Sequence, residues 1–157
     1  MATIFWNTKG ILLIDYLDKG QTITGEYYAS LLRQLRIKIK SKHCGKLSKG
    51  VLLLQHNAPV HNAHVATTTA RECGYEIIPH PPYSPDLAPC DFYLFPNFKS
   101  DLAGRRHMSN SAVIEAVNAY FILFYAGVSC FACGRHSNLK FCKQRFYSIY
   151  LTQKKFR

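Results

Sequence analysis

The sequence predicts an α/β domain built on a mixed β-sheet that is flanked by helices. Three observations predict it: an early β-rich hairpin, a short apolar run without alternation, and several segments with apolar residues at helical spacing. The apolar run, Val51–Leu54, is typical of a strand covered on both faces. Strands that alternate with helical segments favour a sheet with helices packed against it. With 157 residues, 48% of them hydrophobic, the chain is long enough for one buried core.

The first half of the chain predicts a hairpin followed by a helix. Residues 3–17 contain two β-rich runs joined by the turn sequence Asn-Thr-Lys-Gly. Helical spacing begins after Thr24, a residue type suited to capping a helix N-terminus. The apolar positions of this helix are Tyr28, Leu31, Leu32, Leu35 and Ile39. These positions share one face, which we expect to be buried.

The middle of the chain predicts a second helix and another strand. The helix covers residues 60–73 and ends at Gly74, and the strand covers residues 75–79. A proline-rich stretch then favours an extended connection, with a helix beginning near Pro89 that Pro96 should kink or interrupt. A last helix begins at about residue 109, and its predicted apolar face is Val113, Ile114, Val117 and Phe121.

The charge of the chain is strongly basic and unevenly distributed. Lys and Arg outnumber Asp and Glu by 20 to 9, and no acidic residue lies between Glu26 and Glu72. The basic residues of that acid-free stretch are Arg33, Arg36, Lys38, Lys40, Lys42, Lys46, Lys49 and Arg71. They form either a solvated surface or a surface for the phosphates of nucleic acid. The first residues lack the pattern of a signal peptide, and residues 120–133 are too few to span a membrane, so an intracellular protein is expected.

Two polar positions follow predicted strands, where the chemistry of such a sheet is usually found. His56 follows the run Val51–Leu54, and Asp91 follows the proline-rich stretch. Residues 57–90, 34 in all, separate the two. The sequence thus places a histidine at the first of these positions and a carboxylate at the second.

Three segments resemble the catalytic domain of mariner-type DNA transposases. They are ILLIDYLDKGQTITGEYYASLL, VLLLQHNAPVHNAHVA and PHPPYSPDLAPCDFYLFPNFKSDLAGR. The resemblance implies an RNase H-like fold and an enzyme that cuts and joins DNA. It also implies three aspartates that hold two Mg²⁺ ions, for which Mn²⁺ can substitute, since hard divalent cations prefer oxygen ligands. The family separates its second and third aspartates by 34 residues.

The resemblance assigns roles to individual residues. Asp91 matches the third aspartate and is the implied metal ligand, while His56 stands where the family has the second aspartate. The first aspartate, on the first and central strand of the family's sheet, has no counterpart. We therefore expect an RNase H-like sheet that lacks this strand, with the edges of its neighbours exposed. Whether the chain is an enzyme stays open, since only one carboxylate of three is present.

The remaining expectations concern DNA contact and the end of the chain. Candidate nucleic-acid contacts are His61, Lys99, Arg105 and Arg106. Residues 1–120 are expected to form the partial catalytic domain and residues 121–157 a divergent tail. The tail contains a possible zinc ligand set: Cys130, Cys133, His136 and Cys142. By resemblance the partners are DNA and a second copy of the chain, and the compartment is the nucleus.

Three interpretations therefore remain. The first is a truncated, inactive transposase catalytic domain. The second is a basic nucleic-acid-binding or interaction module derived from that domain. The third is a gene relic without a stable fold.

Overall fold

The computed structural model describes residues 1–7, 10–18, 20–42, 50–81, 83–88, 90, 94–102, 109–131 and 147–154. Its strands are β1 (Ala2–Asn7), β2 (Gly10–Tyr16), β3 (Val51–Leu54), β4 (Tyr75–Ile78) and β5 (Tyr147–Lys154). Its α-helices are α1 (Gly25–Lys42), α2 (His64–Glu72), α3 (Phe95–Leu102) and α4 (Asn110–Phe131), and a 3-10 turn covers Pro85–Leu87. Among these residues no helix is both long and apolar enough to cross a bilayer.

The five strands form a single mixed sheet in the order β2-β1-β5-β3-β4. β1 pairs antiparallel with both β2 and β5. β3 pairs parallel with both β4 and β5. The predicted α/β fold with a mixed sheet is therefore confirmed.

Helices cover the sheet on both faces. Phe5 of β1 belongs to a core cluster that contains the apolar residues of α1 and α2. Ile4 and Trp6, its neighbours in the strand, belong to a second cluster with Phe98 of α3 and Phe121 of α4. Since successive side chains of a strand point to opposite faces, the sheet is the middle of three layers.

The first helix forms as its sequence predicts. The Thr24 hydroxyl accepts a 3.2 Å hydrogen bond from the backbone N–H of Tyr27, which satisfies one of the free donors at the helix N-terminus. The predicted apolar face is buried throughout, at Tyr28, Leu31, Leu32, Leu35 and Ile39. Burial of this face against β1 and β3 holds the helix in place.

β5 lies in the tail, for which the sequence predicts no particular structure. The expectation that strand edges are exposed beside the missing strand is wrong, because β5 lies between β1 and β3 and pairs with both. Tyr150 is opposite Trp6 of β1 and opposite Leu54 of β3. The tail thus supplies the central strand that had no counterpart in the resembling segments. The division of the chain at residue 120 stays a prediction, although α4 continues across it.

Smaller differences concern where helices begin. α2 begins at His64, later than predicted, because residues 59–62 form turns. Cys90 and Leu94 adopt π-helical geometry ahead of α3, so helical structure is present near the predicted start. Pro96 lies in the first turn of α3, where a missing N–H costs no helical hydrogen bond. On the apolar face of α4, Val117 and Phe121 are buried, while Ile114 is 37% exposed.

Candidate active site

His56 lies just beyond the carboxyl end of β3. The strand ends at Leu54, Gln55 is buried and His56 is half-buried. The next residue, Asn57, donates a 2.6 Å hydrogen bond from Nδ2 to the carbonyl of His80, which follows β4. This bond joins the segments that leave the two parallel strands. The His56 and His80 rings lie edge to face with centroids 6.5 Å apart.

His61 supports the backbone at His56 from the interior. Its ring is only 1% exposed and lies 4.5 Å from the Tyr28 ring, centroid to centroid. Its Nδ1 is 2.9 Å from the carbonyl oxygen of His56. Because a carbonyl only accepts, Nδ1 carries a proton and donates it. His61 therefore fixes the strand tip that presents His56.

Tyr28 and Gln55 extend this support into the core. The Tyr28 hydroxyl donates a 2.8 Å hydrogen bond to Oε1 of Gln55. The Gln55 amide nitrogen in turn donates a 3.3 Å hydrogen bond to the carbonyl of His61. Burial, and to a smaller extent the nearby Tyr75, raises the pKa of Tyr28 far above its usual value. The phenol therefore remains a donor at physiological pH.

Sequence reasoning missed Tyr28 and Gln55 as parts of the site. Helical spacing correctly predicted that Tyr28 is buried, but not what its hydroxyl contacts. One signal was available for Gln55, since a polar residue directly after a buried apolar strand needs a hydrogen-bonding partner. The partner itself is 27 residues away in the chain.

Asp91, the second predicted catalytic residue, lies outside the described residues. Its neighbour Cys90 is described: it is buried, with 3% of its surface exposed. The indole N–H of Trp6 donates to the Cys90 sulfur at 3.3 Å. Trp6 is itself buried. The segment that leads into Asp91 is thus attached to β1.

The residues at the strand tip do not suit Mg²⁺. Mg²⁺ requires oxygen ligands in octahedral geometry, and the imidazole of His56 stands at the position of an expected carboxylate. Within the part of the chain that the structure describes, no three His, Cys, Asp or Glu side chains are grouped so as to hold a metal ion. The zinc ligand set of the tail falls outside the residues whose side chains are described, and so stays a prediction.

The predicted nucleic-acid contacts differ in their exposure. Lys99 is exposed on α3, while Arg105 and Arg106 lie outside the described residues. His61 is buried against Tyr28, so in this structure it offers no surface to a phosphate. The direct contact predicted for His61 is untested, and its position favours a structural role behind His56.

The basic side chains of α1 lie far from the strand tip. Lys38, Lys40 and Lys42 are exposed near the C-terminus of the helix. Tyr28, which contacts the tip through Gln55, is twelve residues earlier than Lys40, about 18 Å along the helix axis. The Lys42 ammonium reaches the carbonyl of Ile11, at the start of β2. The basic end of α1 and the His56 site therefore occupy different ends of the domain.

Two arginines of the same helix connect it to α2. Arg33 donates to the Thr69 hydroxyl at 3.4 Å, and Arg36 donates to the carbonyl of Glu72 at 2.7 Å. The Glu72 carbonyl is at the end of α2, where a cation is favourable. Both guanidinium groups therefore donate hydrogen bonds within the domain and are not freely solvated.

Comparison with known proteins agrees with this architecture. The family model described as "Transposase (partial DDE domain)" matches residues 1–49. Human histone-lysine N-methyltransferase SETMAR is 36% identical over 121 residues, which are 76% of this chain and 17% of that protein. The Mariner Mos1 transposase of Drosophila mauritiana is 32% identical over 123 residues, 77% of this chain and 36% of that protein.

Solved structures give the same result. A structure of the Mos1 transposase catalytic domain with Raltegravir and Mn matches with a TM-score of 0.72 and 28% identity, over 80% of this chain and 66% of that one. A pre-cleavage Mos1 transpososome matches with a TM-score of 0.72 and 28% identity, over 80% of this chain and 39% of that one.

The sheet order, its mixed pairing and its helical layers define an RNase H-like domain. Within that class, the similarities to Mos1 and SETMAR agree with the three resembling segments in the sequence. The chain is thus related to the mariner-type transposases and corresponds to part of their catalytic domain. It spans about a sixth and about a third of the two full-length relatives.

Proposed function

We propose that this domain derives from a cut-and-paste DNA transposase and no longer cleaves or joins DNA. The observation that carries the proposal is His56, an imidazole at the carboxyl end of β3 where the family resemblance requires an acid. A neutral imidazole is a poor ligand for Mg²⁺. A two-metal mechanism needs oxygen ligands that hold both ions beside the attacked phosphate.

The register of β5 supports the same conclusion. β5 runs parallel to β3 with Tyr150 opposite Leu54, so Thr152 occupies in its strand the position that His56 occupies after β3. The family places its first aspartate on the central strand. The sequence of β5, YSIYLTQK, contains no acid. The replacement strand therefore brings no carboxylate of its own next to position 56.

DNA is the partner we propose, and the nucleus is the proposed compartment. The neighbours support DNA, since solved Mos1 structures include a paired-end complex with Mn and one with Mg. The Mos1 catalytic domain has also been solved with each of these two ions. The binding of Mg²⁺ or Mn²⁺ is proposed from the family resemblance alone, and so is a homodimer. The imidazole of His56 argues against the binding of Mg²⁺.

The proposal is tested by incubating the full chain with supercoiled plasmid in Mg²⁺ and, separately, in Mn²⁺. We expect no nicked or linear product from the wild-type chain. An Asp91→Asn variant, purified identically, controls for contaminating nucleases. Cleavage by the wild type that Asp91→Asn abolishes would overturn the proposal.

A second candidate function is non-specific binding of nucleic acid. It is favoured by the net charge of +11 and by the exposed lysines at the end of α1. Such binding releases counterions, so its affinity should fall steeply with salt. Fluorescence anisotropy with a labelled duplex at several salt concentrations measures this slope, and binding that does not depend on salt would exclude a phosphate-based interface.

A further inference from the structure

The strand at the centre of the sheet comes from the end of the chain. β5 separates β1 from β3, which lie two inter-strand spacings apart, about 10 Å. Residues 147–150 pair with β3, and residues 150–154 pair with β1. Tyr150 is the residue that both registers share. We call the space between β1 and β3 the strand slot.

The strand slot is bridged by contacts that do not involve β5. On one face the Tyr28 ring stacks on Phe5 of β1, with centroids 6.4 Å apart, while its hydroxyl bonds Gln55 beyond β3. On the other face, Ile4 and Trp6 of β1 share a core cluster against which Leu54 of β3 packs. These contacts connect both sides of the slot through the helical layers.

An empty slot would expose two rows of backbone donors and acceptors. Free strand edges readily pair with another extended segment. The occupant in this structure is a segment of the chain itself, so a second copy carries an identical strand with identical pairing. Exchange of an identical element between protomers costs little, since every contact is remade in the dimer.

We propose that the strand slot is a strand-binding site that accepts residues 147–154 from a second copy of this chain. The exchanged dimer contains two complete sheets, each with a central strand donated by the other protomer. The donated strand runs antiparallel to β1 and parallel to β3, as β5 does here.

The test uses two full-length variants. One has a defective strand and an intact slot, and the other has a defective slot and an intact strand. Tyr150→Pro removes a backbone N–H from the strand at the residue that faces both neighbours but leaves the slot unchanged. Leu53→Pro damages the slot in β3 and leaves the tail intact. Tyr150→Phe, which keeps the N–H and an aromatic ring, is the matched control.

We expect each proline variant alone to lose the cooperative thermal transition that Tyr150→Phe retains. An equimolar mixture should regain a transition and should contain a species of twice the chain mass by light scattering. If the mixture melts as the sum of its parts, exchange does not occur and the proposal is wrong. The proposal also fails if Tyr150→Pro alone melts like Tyr150→Phe, because the cooperative folding of the domain then does not require a paired strand in the slot.

A labelled peptide gives a second measurement that does not depend on recovery of a dimer. The peptide YSIYLTQK should bind the Tyr150→Pro chain, and a scrambled peptide of the same composition should not. Equal binding of the two peptides would contradict a slot with a defined register.

Discussion

The hydroxyl of Tyr28 donates a 2.8 Å hydrogen bond to Oε1 of Gln55, and both side chains are buried. The bond joins helix α1 to the segment directly after β3. Gln55 then bonds the carbonyl of His61, and His61 bonds the carbonyl of His56. Position 56 is therefore held by a chain of hydrogen bonds that begins inside the core.

Replacing Tyr28 by Phe tests the first bond of this chain. The variant leaves Oε1 of Gln55 buried without its donor, so we expect the free energy of unfolding to fall by about 1–3 kcal/mol. Urea denaturation followed by circular dichroism measures the change. Ser41→Ala, which removes an exposed hydroxyl bond at the end of the same helix, is the control and should change stability by less than about 0.5 kcal/mol. An equal effect of the two substitutions would mean that the buried hydrogen bond contributes no more to stability than the exposed one.

Replacing His61 by Phe tests the support of the strand tip. The variant keeps a ring against Tyr28 but removes the Nδ1 donor to the His56 carbonyl. We expect a loss of about 1–2 kcal/mol in stability and faster amide hydrogen exchange around position 56. His64→Phe, at an exposed position three residues later, should leave both unchanged. Unaltered exchange in His61→Phe would show that this histidine does not position the tip.

Alkaline pH should destabilise the domain partly through Tyr27. Partial burial, the hydrogen bond to Asp15 and the negative charges of Asp15 and Asp18 raise the pKa of Tyr27 to about 12. Folding thus favours the neutral phenol. The contribution of Tyr27 to the free energy of unfolding is therefore complete below pH 10 and is lost as the pH rises through about 12. Stability curves of wild type and Tyr27→Phe should converge over this interval. A constant difference between them would contradict the assignment.

The lysines at the end of α1 should govern any binding of nucleic acid. A variant with Lys38, Lys40 and Lys42 changed to Gln should show a smaller dependence of log Kd on log salt. The slope should decrease by about 0.9 for each phosphate that the variant no longer neutralises. Lys99→Gln on α3 is the comparison, because Lys99 lies in the helix that follows Asp91. If only Lys99→Gln weakens binding, the interface includes α3 and not the basic end of α1.

Stabilisation by Mg²⁺ distinguishes the wild-type site, which contains His56, from a variant site with added carboxylates. We expect Mg²⁺ to leave the melting temperature of the wild type unchanged. The double variant His56→Asp with Thr152→Asp places acids at matching positions of neighbouring parallel strands. If the double variant binds Mg²⁺, the ion at ten times its Kd would raise the free energy of unfolding of this variant by about 1.4 kcal/mol. Stabilisation of the wild type by Mg²⁺ would show that the imidazole does not exclude the ion.

Part of this domain is predictable from local sequence. Thr24 as a helix cap, the buried face of α1 and the apolar run of β3 are confirmed, because capping and periodicity involve residues a few positions apart. The position of His56 at a strand tip also follows from the local pattern. The predicted beginning of α2 is too early, since residues 59–62 form turns in which His61 contacts Gln55 and Tyr28.

The contacts behind His56 could not be predicted in this way. Tyr28 and Gln55 are 27 residues apart, and Trp6 and Cys90 are 84 residues apart. Considered alone, Tyr28, Trp6 and Cys90 look like ordinary core residues, and the polarity of Gln55 does not identify its partner. Only the packing of helices on both faces of the sheet brings the members of each pair together.

The sequence by itself determined the α/β class, the helices with one apolar face and the histidine at the end of β3. The tertiary structure decided that residues 147–154 form the central strand. A strand's own pattern shows that it can pair, but the partners on its two sides determine its position in a sheet. Those partners, β1 and β3, come from the first half of the chain, and only the folded sheet places them on either side of β5.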